Sequence, residues 1–213
     1  LISRSLVLLV VVLAAPIAKY QKGKQMFSKV TDLPCYDLSG EFQKLLDNDV
    51  IRWHEVEKDQ ICLNTVPGQD DNFFYGRGSL DYDWDNSTVD SNGTIKVSLR
   101  DVPLKEQDFT VLCSQFRNTV FEDVYNALTS KYKLGRVRIM NLQPKKCLTW
   151  HADNTNRVHY PIKTQKGCFM VINSKVQHLD QNTWWFTNTN NNMHTAFNGS
   201  KQDRYHLVAA ILD

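Results

Sequence analysis

The spacing of apolar residues divides the chain into a first part with two predicted helices and a second part rich in predicted strands. Residues 39–48 are predicted to form a short helix because Phe42 and Leu45 fall on one side of it. A longer helix is predicted over 108–133, where apolar residues recur at every fourth position and Gly135 follows as a stop. After Gly135 the pattern changes to short alternating runs, which indicates strands.

Seven short strands separated by polar turns are predicted in this second part. Their ranges are 137–142, 148–153, 158–162, 169–173, 183–186, 194–198 and 205–212. Helices followed by many short strands are typical of a jelly roll. We therefore predict a mainly β fold with flanking helices, in which a cupin-like barrel, the double-stranded β-helix, has its core at about 134–213.

The region between the two predicted helices has a weaker pattern. Residues 52–65 contain strand-like stretches, and 68–94 are predicted to form an irregular loop because Gly, Asp and Asn are frequent there. The aromatic residues of this loop have two interpretations. They pin a long loop to the core, which is the more common role, or they cover a site and contact its substrate.

Candidate chemistry begins at His151 and Asp153, which stand two positions apart in a predicted strand. Side chains at i and i+2 of a strand point to the same face, so both can reach one metal ion. His194 then has to come from another strand. Two histidines and one carboxylate form the ligand set of mononuclear iron oxygenases, which leaves coordination positions for a co-substrate and dioxygen. Arg204, ten residues after His194, is suited to bind a carboxylate of such a co-substrate through two N–H groups.

Two segments carry a resemblance to a known family. Residues 151–162 contain H-x-D followed by R-x-H-x-P-[IL], and 193–208 contain H-x-x-x-N followed by R-x-H-L-V. These segments resemble the Fe(II)/2-oxoglutarate dioxygenases of the aspartyl/asparaginyl β-hydroxylase and proline hydroxylase branch. The resemblance covers about 134–213 well. The chain has Asp153 where some members lack the carboxylate ligand, and Asn182 replaces a small residue common before the strand of the second histidine.

The resemblance implies a role for each matching residue. The implied iron ligands are His151, Asp153 and His194. Arg204 would pair with the C5 carboxylate of 2-oxoglutarate, and Arg157 and His159 would help to hold the co-substrate or receive a substrate carboxylate. Two alternatives stay open: Arg157 as a solvated turn residue and His159 as a hydrogen-bonded interior histidine. His206 shares the face of Arg204, where it would support Arg204 or pack in the interior.

Composition limits the classes of function. A chain of 213 residues with 42% hydrophobic content is long enough for one domain with a sizeable core, predicted here as a single dioxygenase domain over 26–213. A net charge of +2 without a basic stripe argues against nucleic acid as a partner. Five scattered cysteines without a C-x-x-C pair favour free thiols in a reducing compartment.

Residues 1–25 are predicted to be an apolar N-terminal extension outside this domain. The run 6–18 looks like a secretory signal and is too short to span a bilayer comfortably, so no membrane partner is predicted. Because the first methionine is Met26, the preferred interpretation is a spurious upstream extension of a cytoplasmic protein. A secreted protein with a true signal peptide is the alternative.

The predicted function is hydroxylation of an amino-acid side chain, Asp, Asn or Pro, with Fe(II), 2-oxoglutarate and dioxygen. The sequence contains no tetratricopeptide-like helical array, which favours a small amino acid or a short peptide as substrate. One alternative is a cupin-like isomerase or lyase, which would have no use for Arg204 as a co-substrate clamp. The other is a non-catalytic sensor on the same barrel, which the complete ligand set disfavours.

Overall fold

The computed structural model describes residues 25–55 and 59–212, and most of its regular structure is β. The strands are β1 (Phe27–Val30), β2 (Gln60–Cys62), β3 (Asn64–Thr65), β4 (Tyr82–Val89), β5 (Ile95–Leu99), β6 (Val111–Leu112), β7 (Leu134–Leu142), β8 (Lys146–Cys147), β9 (Asn156–Lys163), β10 (Cys168–Ile172), β11 (Lys175–Gln177), β12 (Trp184–Thr187), β13 (His194–Asn198) and β14 (Arg204–Ile211). The α-helices are α1 (Leu38–Asp47) and α2 (Val120–Lys131), and two one-turn 3-10 helices span Glu106–Asp108 and Ser114–Phe116.

Two antiparallel sheets form the barrel. The large sheet has the order β1-β12-β9-β14-β7-β2, and the small sheet has the order β11-β10-β13-β8. The chain from β7 to β14 passes repeatedly from one sheet to the other, and the first and last of these strands lie side by side. This is the strand order of a double-stranded β-helix. The predicted fold class is therefore confirmed.

The large sheet has one apolar face and one polar face. Along β14, Leu207, Ala209 and Ile211 belong to the main hydrophobic core, whereas Arg204 and His206 alternate with them and point the other way. The apolar face packs against α1 and α2, whose buried residues belong to the same core. The helices thus cover the outside of the barrel, and the polar face of the large sheet is turned towards the small sheet.

A second, smaller apolar cluster joins the two sheets on the inside. Phe27 from β1 and Trp185 from β12 contact Met170 and Ile172 from β10, together with Leu179. Strand β1 pairs with β12 at the edge of the large sheet, so the first described strand helps to close the barrel. No strand was predicted there.

The second helix is shorter than the predicted range 108–133. Its first turn follows Thr119, whose hydroxyl accepts a hydrogen bond from the backbone N–H of Phe121 at 3.1 Å. Asn118 just before it has a φ of 58°, a left-handed conformation that interrupts any helix running in from Asp108. The regular spacing at Leu112 and Phe116 comes instead from β6 and a 3-10 turn.

The loop predicted over 68–94 includes β4, which pairs with β5 just beyond the loop in a hairpin that was not predicted. Its turn is closed by Asp90, which accepts hydrogen bonds from the backbone N–H groups of Asn92 at 2.9 Å and Thr94 at 3.0 Å. At the base of the hairpin, Trp84 lies against Gly78, where an added Cβ would meet the indole at 2.5 Å. Phe73, earlier in the segment, belongs to the main hydrophobic core, so an aromatic residue pins this segment to the core, although the segment is more regular than predicted.

Three expectations from the sequence concern the N-terminal extension, the state of the cysteines and the membrane. Residues 1–24, most of the predicted extension, lie outside the described residues. The five cysteines are free thiols, as expected: Cys35, Cys62, Cys113, Cys147 and Cys168. Among the helices that the structure describes, none is long and apolar enough to cross a membrane.

Candidate metal and co-substrate site

His151, Asp153 and His194 come together at one end of the small sheet. One potential ligand atom from each lies within 4.8 Å of those from the other two. The rings of His151 and His194 are 4.2 Å apart between centroids, and Asp153 Oδ2 lies 3.5 Å from His194 Nε2. The structure thus brings the three residues of the predicted ligand set into one cluster.

The backbone reaches this arrangement without the predicted strand over 148–153. Strand β8 ends at Cys147, and beyond it only two isolated bridges form, His151 with His194 and Asp153 with Asn190. The two bridges hold the chain extended over the H-x-D segment. Pairing is interrupted because Asp153 bridges the asparagine-rich turn 188–192 rather than β13 itself. The prediction of a continuous strand was wrong, while the shared face of His151 and Asp153 is preserved.

Backbone carbonyl groups orient both histidine rings. His151 Nδ1 lies 2.8 Å from the carbonyl oxygen of Thr149, and His194 Nδ1 lies 2.9 Å from that of Asn192. A carbonyl can only accept, so in the neutral imidazole Nδ1 carries the proton and Nε2 keeps the lone pair that a metal needs. Burial is the main cause that lowers the pKa of His194 and keeps it neutral. Two imidazole nitrogens and a carboxylate are a donor set that fits Fe(II).

Arg157 stands directly behind Asp153. Its Nε lies 3.2 Å from Asp153 Oδ2, and its Nη2 lies 3.7 Å from Glu106 Oε1. Burial lowers the pKa of Arg157, whereas the two carboxylates act in the opposite direction and favour the charged form. Arg157 is buried on β9 and is not a solvated turn residue.

Arg204 is buried at the start of β14 with only 5% of its surface exposed. Its Nη2 lies 3.0 Å from His206 Nδ1, and none of the described carboxylates forms an ion pair with it. Burial lowers the pKa of Arg204 to about 10, which leaves the guanidinium charged at neutral pH. A buried charge without a carboxylate partner is suited to receive an anion.

Two neutral histidines lie on the same inner face. Both ring nitrogens of His159 and the Nε2 of His206 are buried without a hydrogen-bond partner, and the rings are 5.9 Å apart. Burial, and then the charge of Arg204, lowers the pKa of each well below 6.5. The alternative of a hydrogen-bonded interior histidine therefore does not describe His159. Its unpartnered nitrogens are available to a polar ligand between the sheets.

A family model identifies the proteins to which this chain is related. The family model described as aspartyl/asparaginyl β-hydroxylase matches residues 38–213. The chain belongs to this family. The resemblance predicted from the two motif segments is therefore confirmed, and it extends back to α1. The chain is accordingly a dioxygenase of the hydroxylase type. No curated protein matches it.

Solved structures similar to this β-hydroxylase family member are distant. A viral collagen prolyl hydroxylase from Paramecium bursaria Chlorella virus-1 has 12% identity and a TM-score of 0.37, covering 48% of this chain and 75% of that chain. A 2OG-Fe(II) oxygenase-family oxidoreductase from Burkholderia pseudomallei has 17% identity and a TM-score of 0.34, covering 42% and 47% respectively. A predicted oxalate decarboxylase from Thermotoga maritima has 19% identity and a TM-score of 0.33, covering 43% and 73%. These similarities are too low to carry an argument about function.

Sequence reasoning missed three charged residues of the inner face of this β-hydroxylase family member. Arg136 and Arg138 alternate with apolar residues of β7 and so point away from the main core. The alternation of Arg138 with apolar residues inside the predicted strand 137–142 was a signal that could have revealed it, whereas Arg136 lies one position before that predicted strand. No pattern in the sequence indicated a buried position for Glu106. Burial alone would raise the pKa of Glu106, but the adjacent Arg136 guanidinium lowers it to about 2.

Proposed function

We propose that residues 26–213 form a single dioxygenase domain that hydroxylates an amino-acid side chain with Fe(II), 2-oxoglutarate and dioxygen. The observation that carries this proposal is the cluster of two imidazoles and one carboxylate in the same barrel as Arg204, a buried arginine that pairs with none of the described carboxylates. A metal site alone would fit many cupin-like enzymes. The arginine adds a specific place for the distal carboxylate of the co-substrate.

His151, Asp153 and His194 would hold the iron. Once bound, Fe(II) would activate dioxygen together with 2-oxoglutarate and supply the oxidising power for C–H hydroxylation. The protein itself contributes orientation. Carbonyl groups fix both imidazoles with Nε2 free, and an N–H of Arg157 fixes the carboxylate of Asp153 at 3.2 Å.

Arg204 would bind the C5 carboxylate of 2-oxoglutarate. His159 follows Arg157, which contacts Asp153, by two positions on β9. Its ring lies 5.9 Å from that of His206, which contacts Arg204. Its unpartnered nitrogens could therefore hydrogen-bond the part of the co-substrate nearer to the metal. Both His159 and His206 stay neutral, so Arg204 is the charged member of this group of three and would attract the distal carboxylate.

The proposed substrates are small amino acids or short peptides. The family description names aspartyl and asparaginyl side chains, so these residues and proline, free and in peptides, are the first substrates to test. We also propose a cytoplasmic location, because the cysteines are free thiols and a reducing compartment preserves them.

The decisive experiment measures both products of the proposed reaction. Iron-loaded protein is incubated with 2-oxoglutarate, dioxygen and each substrate, and mass spectrometry then follows succinate and a gain of one oxygen atom by the substrate. We expect both signals, and neither in the His194→Ala variant. Conversion of a substrate without 2-oxoglutarate would indicate a cupin-like lyase or isomerase. Ligand binding without any turnover would indicate a sensor.

A further inference from the structure

Glu106 is not one of the three clustered residues His151, Asp153 and His194, but Arg136 holds it in one position. Its carboxylate accepts hydrogen bonds from Arg136 Nη2 at 2.9 Å, from Arg136 Nε at 3.2 Å and from the Arg136 backbone N–H at 2.8 Å. Three N–H donors from one residue fix both the place and the plane of this carboxylate. Glu106 is therefore rigid enough to position another group.

That other group is Arg157. Glu106 Oε1 lies 3.7 Å from Arg157 Nη2, while Arg157 Nε lies 3.2 Å from Asp153 Oδ2. The Arg157 guanidinium thus stands between two carboxylates, and its Nη1 also donates to the hydroxyl of Thr155. The result is a chain of contacts from Arg136 through Glu106 and Arg157 to a residue of the metal cluster.

Glu106 also neutralises part of the positive charge on the inner face. Arg136, Arg138 and Arg157 are all buried there, and Arg138 has no ion pair with any described carboxylate. Without Glu106, Asp153 would be the carboxylate left to neutralise Arg157. Arg157 would then compete with a metal ion for Asp153, and the excess positive charge would repel the metal ion.

The backbone of β7 is adapted to this arrangement at Gly135. An added Cβ at this position would come within 2.7 Å of Glu106 Oε2 and 2.8 Å of Glu106 Cβ. Only glycine lets the strand approach the 3-10 turn of Glu106 this closely. The close packing indicates that the position of Glu106 is built into the sheet.

We propose that Glu106 is a positioning residue of the metal site and acts through Arg157. It holds the Arg157 guanidinium in place and neutralises it, so that Asp153 remains available to the metal. This inference rests on the proposed function, because it assumes that the cluster of His151, Asp153 and His194 binds a metal ion.

The test measures Co(II) binding to the full chain by calorimetry and by the visible spectrum of the bound ion. Glu106→Gln keeps the size of the side chain and removes its charge, so we expect a loss of affinity of about 10–100-fold, as is usual for partners of metal ligands. Glu106→Asp retains the charge and should recover part of the affinity. The matched control is Glu122→Gln on α2, where Glu122 accepts from the backbone N–H of Asn118 at 2.6 Å. It should lower thermal stability but leave Co(II) affinity unchanged.

A double-mutant cycle tests the path through Arg157. In an Arg157→Gln background, Glu106→Gln should cause no further loss of affinity, whereas additive losses would overturn the proposed path. If Glu106→Gln does not fold, Arg136→Lys takes its place, because it keeps the charge but loses the fork that holds Glu106. Unchanged affinity in a folded variant overturns this inference alone. Failure of the unmodified protein to bind Co(II) overturns the proposed function as well.

Discussion

The six histidines of the chain include two pairs with opposite surroundings on the inside of the barrel. His151 and His194 each have Nδ1 bonded to a carbonyl oxygen, which leaves Nε2 to bind a metal. In contrast, both ring nitrogens of His159 and the Nε2 of His206 are buried without a hydrogen-bond partner. Since a buried polar atom without a partner costs about 1–3 kcal/mol, the second pair is best explained as part of a ligand-binding surface.

The first prediction concerns the proposed metal ligands His151, Asp153 and His194. His194→Ala removes one of three ligand residues, so metal affinity should fall by more than the roughly 100-fold typical for losing an outer partner. Calorimetry with Co(II) measures the affinity, and circular dichroism checks the fold. The control is His178→Ala, because His178 Nδ1 also contacts a carbonyl, that of Cys168 at 2.8 Å, but belongs to no cluster of potential ligands among the described residues. Equal metal affinity in the two variants would contradict the proposed ligand set.

The second prediction concerns the co-substrate. Arg204→Ala leaves the C5 carboxylate of bound 2-oxoglutarate without a charge partner, a loss of about 2–5 kcal/mol in binding free energy. Arg204→Lys should recover only part of it, because the two-pronged geometry is lost. Anaerobic titration of the Co(II)-loaded protein with 2-oxoglutarate measures the effect, with Arg117→Ala at an exposed site as the control. Unchanged affinity for 2-oxoglutarate after removal of the Arg204 guanidinium would refute its role.

The third prediction is a pH dependence of stability. The pKa values of His159 and His206 are lowered well below 6.5 in the folded protein, so only the unfolded chain takes up these two protons as pH falls below 6.5. Folding should therefore lose up to about 2.7 kcal/mol per pH unit there, at about 1.4 for each proton. Urea unfolding of the metal-free protein at about pH 7 and at lower pH measures this loss. In His206→Phe the slope should fall by up to about 1.4 kcal/mol per pH unit, and an unchanged slope would contradict the prediction.

Among the secondary-structure elements, those with regular internal alternation were the ones that could be predicted. Strands β7, β9 and β14 lie in the middle of the large sheet, and their positions were predicted to within a few residues. Strand β1 was missed because its four residues carry little pattern of their own and form a strand by pairing with β12. The helix predicted from Asp108 was too long because apolar spacing alone does not reveal the left-handed residue Asn118.

The fourth prediction follows from β1. A protein that begins at Met26 keeps Phe27 in the inner cluster and the Met26 carbonyl that accepts from the Asn188 N–H at 3.0 Å. It should fold and turn over 2-oxoglutarate like the full chain. A protein that begins at Thr31 loses β1, and removal of Phe27 from the cluster alone should cost about 3–5 kcal/mol. Thermal unfolding and succinate release compare the two proteins. Inactivity of the protein that begins at Met26 would show that the residues before Met26 are required.

For the molecule as a whole, sequence patterns predicted the barrel and the three residues that the structure brings into one cluster, but not the charged residues around them. The motif residues are recognisable because their spacing is fixed by one strand or one turn. Glu106 and Arg136 meet across 30 positions of the chain, and their pairing depends on how a 3-10 turn packs against β7. Such contacts arise from cross-strand register and packing, which local patterns do not encode.

The polar inner face also has a thermodynamic consequence. Four arginines, Arg136, Arg138, Arg157 and Arg204, are buried on this face, and only Arg136 and Arg157 form ion pairs with described carboxylates, those of Glu106 and Asp153. An anion that binds only the folded barrel relieves this excess charge and raises the free energy of unfolding, by about 2.7 kcal/mol at a concentration of about 100 times its Kd. Resistance to proteolysis would rise by the same linkage. The lifetime of the folded protein would therefore follow the supply of its co-substrate.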